Sequence, residues 1–140
     1  MTTITATPRA GSVPRSVGAV LLGFVSIFAL SLGIDQVLHL LHVYPPWGEP
    51  MRSPGLNLLA LAYRIPIAVL GSYLTARAAP RNPTRHAMIL GVLGLLLSAL
   101  GAVAAIKADL GPAWYPVLLA LSSVPCAWLG AKLHERVAAR

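Results

Sequence analysis

Two ionisable residues stand inside long apolar runs of this chain: Asp35 in GIDQVLHLLH and Arg64 in LALAYRIPIAVLG. A charge set in hydrocarbon is costly, so it faces a protein interior and takes a partner of opposite sign. Measured from Pro45 and Pro54, each lies about ten residues down its run, roughly 15 Å at the helical rise. The segment joining the two runs is short, which makes them neighbours, and an Asp35–Arg64 ion pair is expected. The pair has two readings. It fixes helix register and binds nothing, or it is a polar site within the membrane, opening outward between the first two helices, where Arg64 holds an anionic group or gates Asp35.

The run DQVLHLLH adds two imidazoles. Asp35, His39 and His42 are spaced by four and then three, which places them on one helical face. Such a face suits a divalent metal, or proton passage between the outer surface and the buried pair, since imidazole titrates near neutrality. The plainer alternative is a pair of interfacial histidines. With no H-E-x-x-H helix and no fourth ligand in evidence, no metal is expected.

Pro66 follows Arg64 by two residues, and Pro125 occupies the corresponding place in the last apolar run. Each kinks its helix and frees the carbonyl four residues back, that of Ala62 or Leu121. Pro-interrupted helices at matching positions of two halves point to a transporter-like site. Ser122 and Ser123 are close enough to satisfy freed groups instead. His86 and His134 share a depth, but an interfacial one, so no haem is expected. The chain has no G-x-S-x-G elbow, P-loop or dinucleotide fingerprint. No catalytic residue, no cofactor and no enzymatic activity are expected.

The elements that must hold these residues follow from composition. Of 140 residues, 56% are hydrophobic and 11% charged, against about 25% charged in soluble domains. The mean hydropathy is +0.72. Lone Cys126 excludes an internal disulfide and a multi-cysteine metal site. A span needs about 20 mostly apolar residues, and four stretches qualify: Val17 to Val43, Leu56 to Ala76, Ala87 to Ile106 and Trp114 to Leu133. The first is too long for a signal-peptide core and reads as a retained helix. Met1 to Ser16, rich in Thr, Pro, Gly and Ser, reads as a disordered tail ahead of a transmembrane domain over 17–140.

The net charge of +7 resembles a nucleic-acid signature. Its distribution argues for the lipid bilayer as the partner and against nucleic acid. Arg9 and Arg15, then Arg77, Arg81 and Arg85, then Lys132, Arg136 and Arg140 flank the runs on one side, and only Arg52 and Lys107 lie on the other. The positive-inside rule then puts both termini and the central loop in the cytoplasm of a bacterium, across its inner membrane. Tyr44, Trp47, Trp114 and Tyr115 fall at the outer interface.

The two halves resemble each other, over 17–79 and 85–138. Pro66, Ala68, Leu70, Gly71, Leu74, Arg77 and Ala79 align without gaps to Pro125, Ala127, Leu129, Gly130, Leu133, Arg136 and Ala138. Ala19, Leu22, Gly23, Leu32 and Gly33 match Ala87, Leu90, Gly91, Leu100 and Gly101. The expected fold is therefore an all-α membrane protein of four transmembrane helices, built as two parallel-repeat helical hairpins. The charges break the symmetry. Val103, Lys107 and Ser123 stand where the first half has Asp35, His39 and Arg64. Small residues line one face of each of the last three helices, for example Ala87, Gly91, Gly94, Ser98, Gly101 and Ala105. Such faces pack helices closely, and self-association into a homo-oligomer through them is expected.

The segments DQVLHLLHVYPPWGEPM and AYRIPIAVLGSYLTARAAPRNPTRHA resemble small four-helix bacterial membrane proteins. The resemblance covers most of the chain and implies the layout without an activity. Small multidrug transporters share the size and helix number but carry a lone Glu in the first helix, whereas this chain has Asp35 nearer the outer end and Arg64 besides. The expectation is a small transporter or ligand-binding membrane protein; the alternative is a non-catalytic structural or accessory subunit.

Overall fold

The computed structural model describes residues 12–140, which form four α-helices: α1 (Ser12–Leu40), α2 (Pro54–Ala78), α3 (Pro83–Lys107) and α4 (Trp114–Ala138). Each is long and apolar enough to cross a membrane. Proline writes several of the boundaries. Pro54 and Pro83 sit in the first turns of α2 and α3, where a missing N–H goes unmissed. Ser53 caps α2 by accepting a hydrogen bond from the Leu56 amide. The expected first span shifts towards the N-terminus. Residues 12–16, read as tail from composition, are helical, with Pro14 accommodated in the first turn. The rest of that tail, 1–11, lies outside the described residues. At its other end α1 stops at Leu40, because His42 takes a left-handed backbone (φ 56°) and Pro45 and Pro46 follow.

Consecutive helices run antiparallel, so the 41–53 and 108–113 connections share one end of the bundle, here termed distal. The tight 79–82 turn and the C-terminus lie at the proximal end. Helix α2 is central and touches the other three. Helix α4 packs between α2 and α3, while α1 leans on α2 and more lightly on α3. Among the described residues α1 and α4 do not meet.

Small residues make the crossings. A Cβ on Gly23 would come 2.6 Å from the Gly71 carbonyl oxygen, and one on Gly71 would come 2.9 Å from that of Gly23. Only glycine permits that α1–α2 approach. One turn away, the buried Thr75 hydroxyl donates to the Ala19 carbonyl across the same contact at 2.9 Å. Gly130 is pressed against Val69 and Ser72 of α2, and Gly91 against Ala127 of α4. Large side chains point the other way, with Phe28 60% and Leu100 69% exposed. That inversion fits helices that associate by close packing of small residues while their leucines face lipid.

The distal connections are clasped together. The Met51 amide donates to the Leu110 carbonyl at 2.8 Å, and Gly111 lies so close to Met51 that a Cβ would stand 2.6 Å from its carbonyl oxygen. Arg52 forks onto Asp109 at 2.7 and 3.4 Å. Asn57, buried at the start of α2, donates to the Met51 and Ser53 carbonyls.

Candidate functional site

Asp35 and Arg64 meet. Arg64 Nη2 lies 2.5 Å from Asp35 Oδ2. The carboxylate is buried, 7% exposed as a residue, and its other oxygen accepts a hydrogen bond from the Tyr63 hydroxyl. Tyr44 Oη lies 3.0 Å from Tyr63 Oη, so a chain of hydroxyls leads from the distal connection to the buried carboxylate. Burial holds the Tyr44 phenol above its ordinary pKa, which keeps it protonated and able to donate.

The depth of the pair differs from the sequence count. Because α1 ends at Leu40, Asp35 lies only about 7.5 Å below the helix end at 1.5 Å per residue, not 15 Å. Arg64 starts deeper, and its long side chain reaches distally to the carboxylate, as basic side chains do near a membrane interface. Both charges therefore sit in the distal part of the bundle.

The histidines divide. His39 remains on α1, but its Nδ1 lies 2.7 Å from the backbone carbonyl of Asp35 and not its carboxylate. A carbonyl only accepts, so Nδ1 carries the proton in the neutral ring. The ring stacks on Trp47 at 3.9 Å and meets Tyr44 edge-on. His42 lies beyond the helix end, left-handed and exposed, so the shared face of Asp35, His39 and His42 is not formed. Among the described residues no three His, Cys, Asp or Glu side chains gather as metal ligands. His86 bonds the Asn82 carbonyl, and His134 lies against Tyr73.

Pro66 and Pro125 lie inside unbroken helices on exposed faces, as do Ala62 and Leu121. Neither proline lines the main cavity between the four helices. Ser122 and Ser123 do not serve the Leu121 carbonyl; both donate to that of Leu119.

What lies beneath the ion pair is a cavity of about 430 Å³ between all four helices. Its walls are largely apolar, from Phe24, Ile27 and Phe28 of α1 round to Leu97 of α3 and Leu119 of α4. Among the described residues Arg64 is its one charged lining group. Hydroxyls from Ser31, Ser72, Ser98, Ser122 and Ser123 are spread down the walls. Arg64 Nε is buried and has no hydrogen-bond partner among the described residues, although a buried donor left unpaired costs about 1–3 kcal/mol. The expected outward opening lies between the distal ends of α1 and α2. On that side Tyr44, 6% exposed, bridges His39 of α1 and Tyr63 of α2.

The sequence reading missed Tyr44 and Tyr63 as partners of the site, and with them the cavity. A signal for Tyr63 existed. It neighbours Arg64 inside an apolar run, where a phenol must find an acceptor. No comparable signal marks the cavity, whose lining comes from four separate helices. No protein-family model, curated protein or solved structure matches this chain.

Proposed function

We propose that this chain is a multi-pass protein of the bacterial inner membrane that binds a ligand through Arg64 in the cavity, as a small transporter or ligand-binding protein. One observation carries the reading: among the described residues, a guanidinium held by a carboxylate at Nη2 and unpaired at Nε is the single charge on an otherwise apolar, hydroxyl-dotted space. Intramembrane ionisable residues are functional candidates by default. A purely structural arginine gains nothing from bordering a space of this size.

The Tyr44–Tyr63–Asp35 chain supplies a means of gating. A proton entering at Tyr44 and passed through Tyr63 would neutralise Asp35 and weaken its hold on Arg64, freeing the guanidinium for an anion. The distribution of Lys and Arg supports cytoplasmic termini, which makes the distal end the outer one. Cysteine labelling that finds the 79–82 turn outside would overturn that orientation. Duplication of a hairpin is supported by the glycines that align between the halves: Gly23 with Gly91 and Gly71 with Gly130 all lie at helix crossings. Gly33 and Gly101 also align, and a Cβ at either would meet nothing within 4 Å, which leaves these positions for contact with a second copy.

The test is saturable, Arg64-dependent binding of an anionic probe (acetate, inorganic phosphate, dodecanoate or dodecyl phosphate) to protein in phosphatidylcholine nanodiscs. Loss of binding in Arg64→Gln with folding intact supports the proposal. No binding of any of the four to wild type refutes it. In that case the second reading stands, a structural or accessory subunit whose pair sets register. The full satisfaction of both Asp35 oxygens favours that alternative.

A further inference from the structure

We infer that the ligand is a single-chain amphiphile with an anionic head, taken sideways from the outer leaflet between α1 and α3; this rests on the reading of Arg64 as a ligand-binding residue. The first ground is the closure of the distal end. Tyr44 fills the α1–α2 side. The clasp of Met51 on Leu110 and Arg52 on Asp109 ties down the connections over α2, α3 and α4. A solute arriving from water therefore meets a covered end.

The second ground is the openness of the flank. Helix α1 leans on α3 less closely than on α2, with Leu90 lying against Gly23 towards the proximal end, and it does not reach α4 among the described residues. Above that contact the cavity lining includes Phe24, Phe28 and Leu97, which are also 37%, 60% and 51% exposed. Side chains that line a cavity and the bundle exterior at once mark a doorway, and in a membrane this doorway faces lipid.

The third ground is polarity along the axis. Arg64 stands at the distal end of the cavity, and Ser72, two turns deeper on α2, lies near its floor. The eight residues between them correspond to about 12 Å at the helical rise. The Arg64 guanidinium is drawn distally to Asp35, and the apolar length runs from it through the middle of α2 to Ser72. An outer-leaflet amphiphile has the same orientation, so it would enter without turning over.

The experiment compares dodecanoate and dodecyl phosphate with acetate, inorganic phosphate and dodecyltrimethylammonium, by equilibrium binding to full-length protein in phosphatidylcholine nanodiscs, with empty nanodiscs subtracted. Either anionic amphiphile should bind saturably, and which of the two binds identifies the head. Arg64→Gln should weaken it about ten- to hundredfold, the loss of one charge-assisted hydrogen bond. Gly94→Phe is a second variant that leaves the ion pair untouched. A Cβ there meets only Ser123, at 3.5 Å or more, so the new ring grows into the cavity and should exclude the chain. If acetate or phosphate binds as tightly as the amphiphiles, or if Gly94→Phe binds them like wild type, the lateral amphiphile is wrong while Arg64 remains an anion site. Equal binding of dodecyltrimethylammonium also overturns it. If no anion binds, the ligand-site reading itself fails.

Discussion

Removing one member of the Asp35–Arg64 pair should harm the fold more than removing both. The carboxylate is nearly enclosed, its side chain 10% exposed, while that of Arg64 retains 27%. Breaking a buried pair from one side costs about 3–5 kcal/mol in soluble proteins. Two local features reduce that figure here. In Arg64→Gln, Asp35 keeps the Tyr63 hydroxyl, and the partial exposure of Arg64 screens the charge left in Asp35→Asn. A loss of about 2–3 kcal/mol for each single variant follows. The double variant removes both charges, relieves the unpaired Nε and leaves Tyr63 an amide oxygen to donate to. It should return to within about 1 kcal/mol of wild type. The assay is reversible unfolding of the four proteins in mixed micelles, with probe binding measured in parallel. Under the ligand-site reading the double variant is stable and does not bind. A double variant less stable than either single, by the sum of their losses, would show that the two charges are not coupled and would remove the basis for the site. A stable double that still binds an anion would refute the role of Arg64.

Three further outcomes are expected. Tyr63→Phe removes the second donor to Asp35 and should cost about 1.5–3 kcal/mol, the range for a hydrogen bond to a charged group; it should also alter the pH dependence of probe binding, and an unchanged profile would exclude the hydroxyl chain as a proton path. Gly23→Leu should disrupt the α1–α2 crossing, because even a Cβ would meet Thr75 Oγ1 at 2.0 Å, with a loss of at least the 1–3 kcal/mol typical of overpacking; Gly101→Leu, in open space, should unfold like wild type when the chain is monomeric. The hydrogen bond and charge of Arg52 hold the Asp109 carboxyl below its ordinary pKa, so the stabilisation of the distal clasp is complete above the ordinary carboxylate range and is lost as pH falls through the depressed value. The protection factor of the Met51 amide, its exchange measured against the intrinsic rate at the same pH, should therefore fall at acid pH in wild type but show no such step in Asp109→Asn.

The number of helices, their apolar character and the partnership of Asp35 with Arg64 are legible along the chain. Each follows from a local rule: a run of about 20 apolar residues reads as a span, and two opposite charges on adjacent spans are costly unless paired. The small-residue faces were equally legible, and Gly71, Gly91 and Gly130 lie on them. The rest depends on where helices end and how they pack. His42 left the face it shared on a helical wheel because α1 stops at Leu40, and periodicity does not reveal where a helix yields to a left-handed residue. The prolines were visible, but their outward orientation depends on how each helix is rotated against its neighbours. The cavity belongs to no segment. It arises because close glycine contacts fix α2 against α1 and α4, while α1 leans more lightly on α3, with Leu90 against Gly23, and does not reach α4 among the described residues. A space defined by what four helices fail to fill has no signature along any one of them.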